Sequence, residues 1–335
     1  PAFDIPEIGK SLHFPVDFHR ITFGDNDGWG PTGMYFMLAA RTDQPEAAMR
    51  AAAYLMHEVP PAAKPEDRNR LSRTYSGDVL YAADLIPTMQ QMSQLKQQRS
   101  ENPQPVARVY EGLGWAVIAD DSMFPTLRLS ARGGSSRITG HGHLDLLSFK
   151  CRINDQTMIE DQKGGVMRVN YTGRGHDLYS RSPAGKSTLF VDGLGCRNNA
   201  EVKETEIVEG DGLLGVRIDG STIYLPRWRG GFIGRLFLLV DSRYWLVVDT
   251  APGHGMESRF HTYADLETGD DWALLTKEDQ QMAMTFASLS DSIMQLSTGK
   301  PAYPREQTKI MRWMNTGSTQ NSLHVTALNP GDQQL

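Results

Sequence analysis

The sequence changes character at ENPQPVARVYEGLGWAVIA (residues 101–119). Before this stretch, apolar residues recur at helical spacing, as in residues 47–55, and methionine and leucine continue the pattern later. Prolines then interrupt it. From Val106 onward, short apolar runs alternate with turns rich in Gly, Asp and Pro, which is typical of β-strands. We therefore place a domain boundary near residue 103.

The second region is predicted to be a set of short strands. The predicted strands are residues 106–109, 115–119, 126–131, 144–153, 157–160, 187–191, 213–218, 236–240 and 244–249. Because helices come first and strands follow without alternation, the sequence indicates an α+β architecture. The prediction is a helical domain over residues 1–103 and an antiparallel β-sandwich over residues 104–335.

Composition narrows the class of protein. The chain has 335 residues and a net charge of −6, from 34 basic and 40 acidic side chains. That balance argues against nucleic-acid binding, although a local arginine cluster could still hold an anionic substrate. No apolar run is long enough to suggest a membrane span. The two cysteines, Cys151 and Cys196, are predicted to be free buried thiols rather than a disulfide, which the sequence leaves open.

The main candidate for chemistry is GHGHLDLLSF (residues 140–149). His141 and His143 share a face if this segment is extended, and imidazole both exchanges protons near neutral pH and binds metals. Asp161 follows 18 residues after His143. A strand, a tight turn at residues 154–155 and a return strand would bring this carboxylate beside His143. Together they are two metal ligands or a simple hydrogen-bonded pair.

A glycine-rich, basic segment, residues 170–182, follows and is predicted to be a loop that carries functional side chains. Its phenols and its basic groups suit proton transfer and the binding of a carboxylate, because the guanidinium group pairs well with carboxylates. The candidates are Tyr171, Arg174, His176, Tyr179 and Arg181. A solvated surface loop remains the alternative for each of them.

Four blocks of this sequence, taken in order, resemble the heparinase II/III-like polysaccharide lyases, which include alginate and oligoalginate lyases. The blocks are GHGHLDLLSF (140–149), IED (159–161), YSRSPA (179–184) and TLFVDG (188–193). The resemblance extends over residues 23–265. It implies an incomplete α/α toroid followed by an antiparallel β-sandwich, and β-elimination on a polysaccharide that contains uronic acid.

The implied reaction explains the residue types. The substrate carboxylate must be neutralised before the C5 proton can be removed, and a Tyr or His then removes it and protonates the leaving O4. By resemblance, His141 matches the catalytic histidine, and either Tyr171 or Tyr179 matches the active-site tyrosine. Arg174, Arg181 and His176 are expected to bind the anionic sugar. Since such polymers lie outside the cytoplasm, the resemblance implies a periplasmic or secreted protein.

The resemblance also implies a zinc site, with one departure. His143 and Asp161 match two of its ligands, but Lys186 stands where the family has a third, a histidine. The lysine ammonium could occupy the space of the metal and pair with Asp161. Alternatively, His176 or His261 could complete the site. Zinc is thus the one candidate cofactor.

The helical segment is a second departure. About a hundred residues hold roughly six helices of 11–12 residues each, fewer than the toroid needs. The chain also begins at Pro1. We therefore expect that the first part of the toroid is missing and that a companion chain or a removed segment supplies it. Homo-oligomerisation is left open.

Two other functions fit the same residues. A uronate epimerase would also remove the C5 proton but would return it to the opposite face. A non-catalytic carbohydrate-binding or assembly module would need no proton-transfer groups, although the lysine at position 186 and the short helical segment favour it. The anionic polysaccharide is the expected partner in all three cases.

Overall fold

The computed structural model describes the β-rich part of the chain. The described residues are 13–14, 17–18, 23, 104–120, 125–137, 142–154, 156–163, 178–224, 231–301, 306–317, 320 and 322–331. Nearly all of them belong to one compact unit, formed by residues 23–25, 105–120 and 126–335. Almost all of the predicted helical domain, residues 1–103, lies outside the described residues, so the toroid and the boundary near residue 103 stay predictions.

The described residues form strands joined by turns. The strands are β1 (Pro105–Tyr110), β2 (Trp115–Asp120), β3 (Leu127–Arg132), β4 (Phe149–Ile153), β5 (Gln156–Ile159), β6 (Leu189–Val191), β7 (Glu204–Gly210), β8 (Leu213–Asp219), β9 (Gly234–Val240), β10 (Tyr244–Thr250), β11 (Met256–Thr262), β12 (Asp265–Thr268), β13 (Trp272–Lys277), β14 (Gln280–Ser288), β15 (Ser292–Thr298), β16 (Lys309–Asn315) and β17 (Leu323–Pro330). A short helix, α1 (Leu178–Arg181), and a 3-10 turn (Pro183–Gly185) precede β6. None of the helices described is long and apolar enough to cross a membrane.

The strands build three antiparallel sheets. The first has the order β1-β2-β3-β4-β5, the second β12-β13-β14-β17-β10-β9-β8-β7, and the third β15-β16-β11-β6. Most neighbouring strands in the sheets are consecutive along the chain. The last strand, β17, lies between β10 and β14 in the second sheet and pairs with both. The antiparallel β architecture predicted for this region is confirmed.

One hydrophobic core joins the three sheets into a sandwich. Phe149 of the first sheet lies 5.4 Å from the ring of Phe237 in the second and 5.9 Å from Phe260 in the third. Phe260 in turn contacts Phe286 across the sheets at 5.6 Å. Burying each ring is worth about 1.5–3 kcal/mol. These contacts fix how the sheet edges, and the loops at them, are arranged.

The hairpin predicted between His143 and Asp161 is present, but its first strand is shorter than expected. Ile153 pairs with Gln156 across a turn in which Asn154 has a φ of 51°, a conformation that asparagine tolerates. The predicted strand over residues 144–153 is wrong before Phe149. Residues 144–148 form a turn, with Leu147 at a φ of 62°.

Several strands escaped sequence analysis. These are β7 and β11 to β17. Strand β11 shows why, because Glu257 and Arg259 interrupt its apolar residues, and no strand was predicted there. The charges are satisfied within the fold, where Glu257 pairs with Arg259 and with Arg312 of β16. The two cysteines are free and buried, as predicted, and burial raises the pKa of each thiol to about 12.

A buried ion pair connects the second sheet to the loops around residues 147 and 187. The Arg235 guanidinium on β9 donates two hydrogen bonds to the Asp249 carboxylate on β10, at 2.6 and 2.9 Å. Its Nη1 also donates to the carbonyls of Leu147 and Ser187, both at 2.9 Å. Ser258 adds a hydrogen bond to Asp249. Both members of the pair are almost fully buried.

Replacing Arg235 with Met should destabilise the fold strongly. The substitution leaves the Asp249 carboxylate buried without its cation and two carbonyls without their donor, so we expect a loss of about 3–5 kcal/mol in the free energy of unfolding. Urea denaturation measures it. The control is Arg137→Met, whose exposed partner is Glu201 at 3.9 Å and whose effect should stay below about 1 kcal/mol. Equal effects in the two variants would contradict the assignment.

His324 should make the fold sensitive to acid. Its Nδ1 lies 2.9 Å from the Ser258 hydroxyl, and burial lowers its pKa to about 4. In the unfolded chain the imidazole takes up a proton near pH 6.5. Between pH 6.5 and 4 the unfolded state therefore binds more protons than the folded state. As the pH is lowered through this range, the free energy of unfolding decreases by about 1.4 kcal/mol per pH unit because of this group. Denaturation of His324→Asn across this range should show a shallower slope, and an unchanged slope would contradict the prediction.

Candidate functional site

The turn at residues 144–148, which directly follows His143, is held from two sides. The Leu147 amide donates to the Arg132 carbonyl at 2.8 Å, and the Arg132 guanidinium lies 3.3 Å from the Asp145 carboxylate. On the other side, Thr188 donates to the Leu146 carbonyl at 2.8 Å. His143 is therefore placed shortly before β4 of the first sheet, against the segment that precedes β6, and its side chain is buried.

The centre of the site is Lys186, whose ammonium lies between His143 and Asp161. The Lys186 Nζ is 2.8 Å from Nδ1 of His143 and 3.4 Å from Oδ2 of Asp161. An ammonium can only donate, so Nδ1 accepts and the neutral imidazole carries its proton on Nε2. The other carboxylate oxygen of Asp161 accepts a hydrogen bond from the Ser187 amide at 3.0 Å. The site thus unites the first sheet with the turn before β6.

The charges around Asp161 favour its ionised form. Burial alone would raise the pKa of Asp161, but the nearby ammonium groups of Lys186 and Lys150 and the Ser187 amide outweigh it, so the pKa lies below its usual value. Lys150 Nζ is 3.9 Å from Asp161 Oδ2. Burial lowers the pKa of Lys150 despite the attraction of Asp161. The site therefore combines one buried carboxylate with two amine groups.

Helix α1 brings Tyr179 and Arg181 to the same loop. The Leu144 amide donates to the Arg181 carbonyl at 2.9 Å, and the Arg181 guanidinium donates to the Gly142 carbonyl at 3.1 Å. Gly185 allows the next turn to pack closely, because a Cβ there would lie 2.6 Å from the Tyr179 carbonyl oxygen. Arg181 thus holds the loop on which His143 sits.

Tyr179 also interacts electrostatically with the guanidinium of Arg312. Glu257 raises the pKa of Arg312 by accepting its hydrogen bond, and Tyr179 adds a smaller contribution in the same direction. The guanidinium of Arg259 lies 3.9 Å from the centre of the Phe190 ring and donates to the Ala184 carbonyl at 3.1 Å. A basic, half-buried surface therefore borders α1.

The structure brings four of the residues predicted for the site into one region: His143, Asp161, Tyr179 and Arg181. Four others lie outside the described residues, so their predicted roles are untested: His141, Tyr171, Arg174 and His176. Sequence analysis missed Lys150, Glu257, Arg259 and Arg312. The alternation Glu257, Arg259, His261 is the signal that would have shown a strand with a polar face.

The described residues do not fit a zinc ion at this position. No group of three His, Cys, Asp or Glu side chains among them could hold a metal. His261, an alternative third ligand, uses Nδ1 for Thr308 at 2.8 Å, and its Nε2 makes no hydrogen bond. Burial lowers the pKa of His261 to about 3, so the ring is neutral. The space between His143 and Asp161 is taken by an ammonium group.

Solved structures share this architecture. The chain is similar to a structure titled Heparinase III, with 14% identity, a TM-score of 0.58, and coverage of 98% of this chain and 57% of that one. It is also similar to heparan sulfate lyase HepC from Pedobacter heparinus, with 12% identity, a TM-score of 0.57, and coverage of 98% and 56%. A heparinase III gene product gives 12% identity, a TM-score of 0.58, and coverage of 90% and 51%. Comparison with curated proteins gave no match.

These likenesses show the fold that the chain shares with these solved structures. The model of the family described as "Heparinase II/III-like, C-terminal" matches residues 102–328. The chain therefore belongs to the heparinase II/III-like family, as its motif blocks predicted. It spans about half the length of the solved relatives.

Replacing Arg181 with Met should loosen the loop that carries His143. The variant loses the hydrogen bond to the Gly142 carbonyl, while the backbone bond from Leu144 can remain. We expect faster hydrogen exchange at the amides of residues 142–144 and a loss of about 1 kcal/mol in the free energy of unfolding. Hydrogen exchange followed by mass spectrometry measures this. Exchange there that matches the wild type would show that Arg181 does not hold the loop.

Proposed function

We propose that this protein, in its complete form, cleaves a polysaccharide that contains uronic acid by β-elimination. The observation that supports it most directly is the docking of α1, with Tyr179, on the loop of His143 in a member of the heparinase II/III-like family. A phenol, an imidazole and several cationic groups are the residue types that the reaction needs. The likeness in fold alone would not support an activity.

The chemistry follows from the acidity of the C5 proton. A cationic or hydrogen-bonding group, His141 in our proposal, would neutralise the substrate carboxylate or act as the base. The C5–H bond then breaks, its electron pair forms the C4–C5 double bond, and the C4–O4 bond breaks as O4 takes a proton. Tyr171 or Tyr179 would serve as base or acid. Electrons and protons balance without any cofactor.

The surroundings of Tyr179 support a role in proton transfer. The Arg312 guanidinium interacts electrostatically with Tyr179, and a phenol is one of the groups that can act as a general acid or base. Arg174, His176 and Arg181 would bind the anionic sugar, with Arg181 also holding the His143 loop. The acidic polymers that suit this site lie outside cells, so we propose a periplasmic or secreted location.

The assay follows the new double bond. The protein as isolated, with any chain that copurifies, is incubated with a panel of uronate polymers, and the ultraviolet absorbance of the unsaturated product is recorded. A rise with one polymer is expected and would name the substrate. Folded protein that gives no rise with any polymer would overturn the proposal, and exchange of the C5 proton with solvent without cleavage would indicate an epimerase instead.

Substitution of His141 should abolish most of the activity. We expect His141→Ala to lower kcat/KM by about 100-fold or more, because proton transfer or charge neutralisation is lost. Tyr171→Phe and Tyr179→Phe, measured in parallel, identify the tyrosine that transfers the proton as the one whose loss has a similar effect. The matched control is His254→Asn, since His254 pairs with Asp192 away from the site and should leave the rate unchanged. Full activity in His141→Ala would remove this histidine from the mechanism.

A further inference from the structure

The position of Lys186 carries an inference that does not depend on the proposed activity. Its ammonium is 2% exposed and lies within 3.4 Å of both a neutral imidazole and a carboxylate. Imidazole nitrogen and carboxylate oxygen are the donors that zinc binds at about 2.0–2.2 Å. A metal bound to His143 and Asp161 would therefore have to occupy nearly the same space as Nζ.

Other carboxylates near Asp161 already have cations of their own. Asp145 lies 3.3 Å from the Arg132 guanidinium. Glu160 has two lysine partners, one at 3.2 Å and one at 3.4 Å. The deeply buried ammonium of Lys186 thus serves Asp161, and removing it would leave a buried carboxylate with only the more distant Lys150.

The backbone also fixes Lys186 in this place. The Lys186 amide donates to the Pro183 carbonyl at 3.1 Å and closes the 3-10 turn. The Lys186 carbonyl accepts from Thr188 at 3.0 Å, and the Ser187 amide donates to Asp161. The turn and the side chain therefore bind the same carboxylate, so the ammonium position is built into the fold.

We propose that the Lys186 ammonium is this protein's own cation at the His143–Asp161 site and takes the place of a bound metal. It is a positioning residue: by donating to Nδ1 it keeps the proton of His143 on Nε2, and it balances the charge of Asp161. The site then needs no zinc, and zinc binding there would require another residue at position 186.

Metal content tests this directly. Wild type, His143→Ala, Lys186→His and the double variant Lys186→His/His143→Ala are incubated with zinc, desalted and measured by mass spectrometry for metals. Zinc that persists in His143→Ala is bound elsewhere, so only zinc that this variant loses belongs to the site. We expect the wild type to hold no such zinc. Lys186→His should gain about one zinc per chain, since three ligands then surround the site, and the double variant should lose it.

Two outcomes would overturn the proposal. One is a zinc ion in the wild type that His143→Ala removes. The other is a folded Lys186→His that binds no more zinc than the wild type, because the lysine would then not stand at a ligand position. Cobalt in place of zinc gives an independent readout, since four-coordinate Co²⁺ absorbs visible light and should colour only Lys186→His.

A thermal double-mutant cycle tests the role in charge balance. Lys186→Met should lower the Tm by about 5 °C or more, because a buried carboxylate loses its partner. Adding Asp161→Asn should restore more than half of that loss, and this double variant also covers the case in which Lys186→Met does not fold.

The control is Lys203→Met, a 64% exposed lysine 3.4 Å from Asp219, with an expected shift below about 2 °C. Additive effects at positions 186 and 161 would contradict the pairing. Neither experiment measures lyase activity, so its result is separate from that of the proposed function.

Discussion

The buried pair of Arg235 and Asp249 is the interaction on which the site depends. One guanidinium, 0% exposed, binds a carboxylate on the neighbouring strand and the carbonyls of Leu147 and Ser187. Removing two charges from water has a large desolvation penalty. The four hydrogen bonds that the Arg235 side chain donates offset it. The same contact ties two loops, distant in sequence, to the rigid second sheet.

The loops held by Arg235 carry side chains of the candidate site. Leu147 ends the turn that begins near His143, and Ser187 is the neighbour of Lys186, so the guanidinium fixes the two segments whose side chains meet at 2.8 Å. Loops are more mobile than the strands that they connect. Anchoring their carbonyls to a buried group in the middle of a sheet removes much of that freedom and holds the His143–Lys186 contact in place.

Local sequence signals predicted some of this arrangement and could not predict the rest. The hairpin between β4 and β5 follows from apolar runs around a turn at Asn154, and it places Asp161 near His143 as expected. The run Leu144, Leu146, Leu147 resembles a strand but is a turn, because the Leu147 carbonyl is taken by Arg235, 88 residues away in sequence. Contacts of that separation leave no local pattern. The charges of β11 concealed a strand for a similar reason, since the partner of Glu257 on β16, Arg312, is 55 residues away in sequence.

In the proposed role of Lys186, the motif of the family is kept while the chemistry of the site changes. Zinc with one carboxylate and neutral imidazoles leaves one positive charge, whereas the pair of Lys186 and Asp161 leaves none. Lys150, at 3.9 Å from Asp161, restores the positive charge when it is protonated, and its side chain is more exposed than that of Lys186. Two amines can therefore replace one metal ion in the charge balance, with Lys186 bound to His143 and Lys150 farther from Asp161. In this proposal the cation of the site is part of the chain, so a chelator would not remove it and the geometry of the loop would not depend on the metal supply.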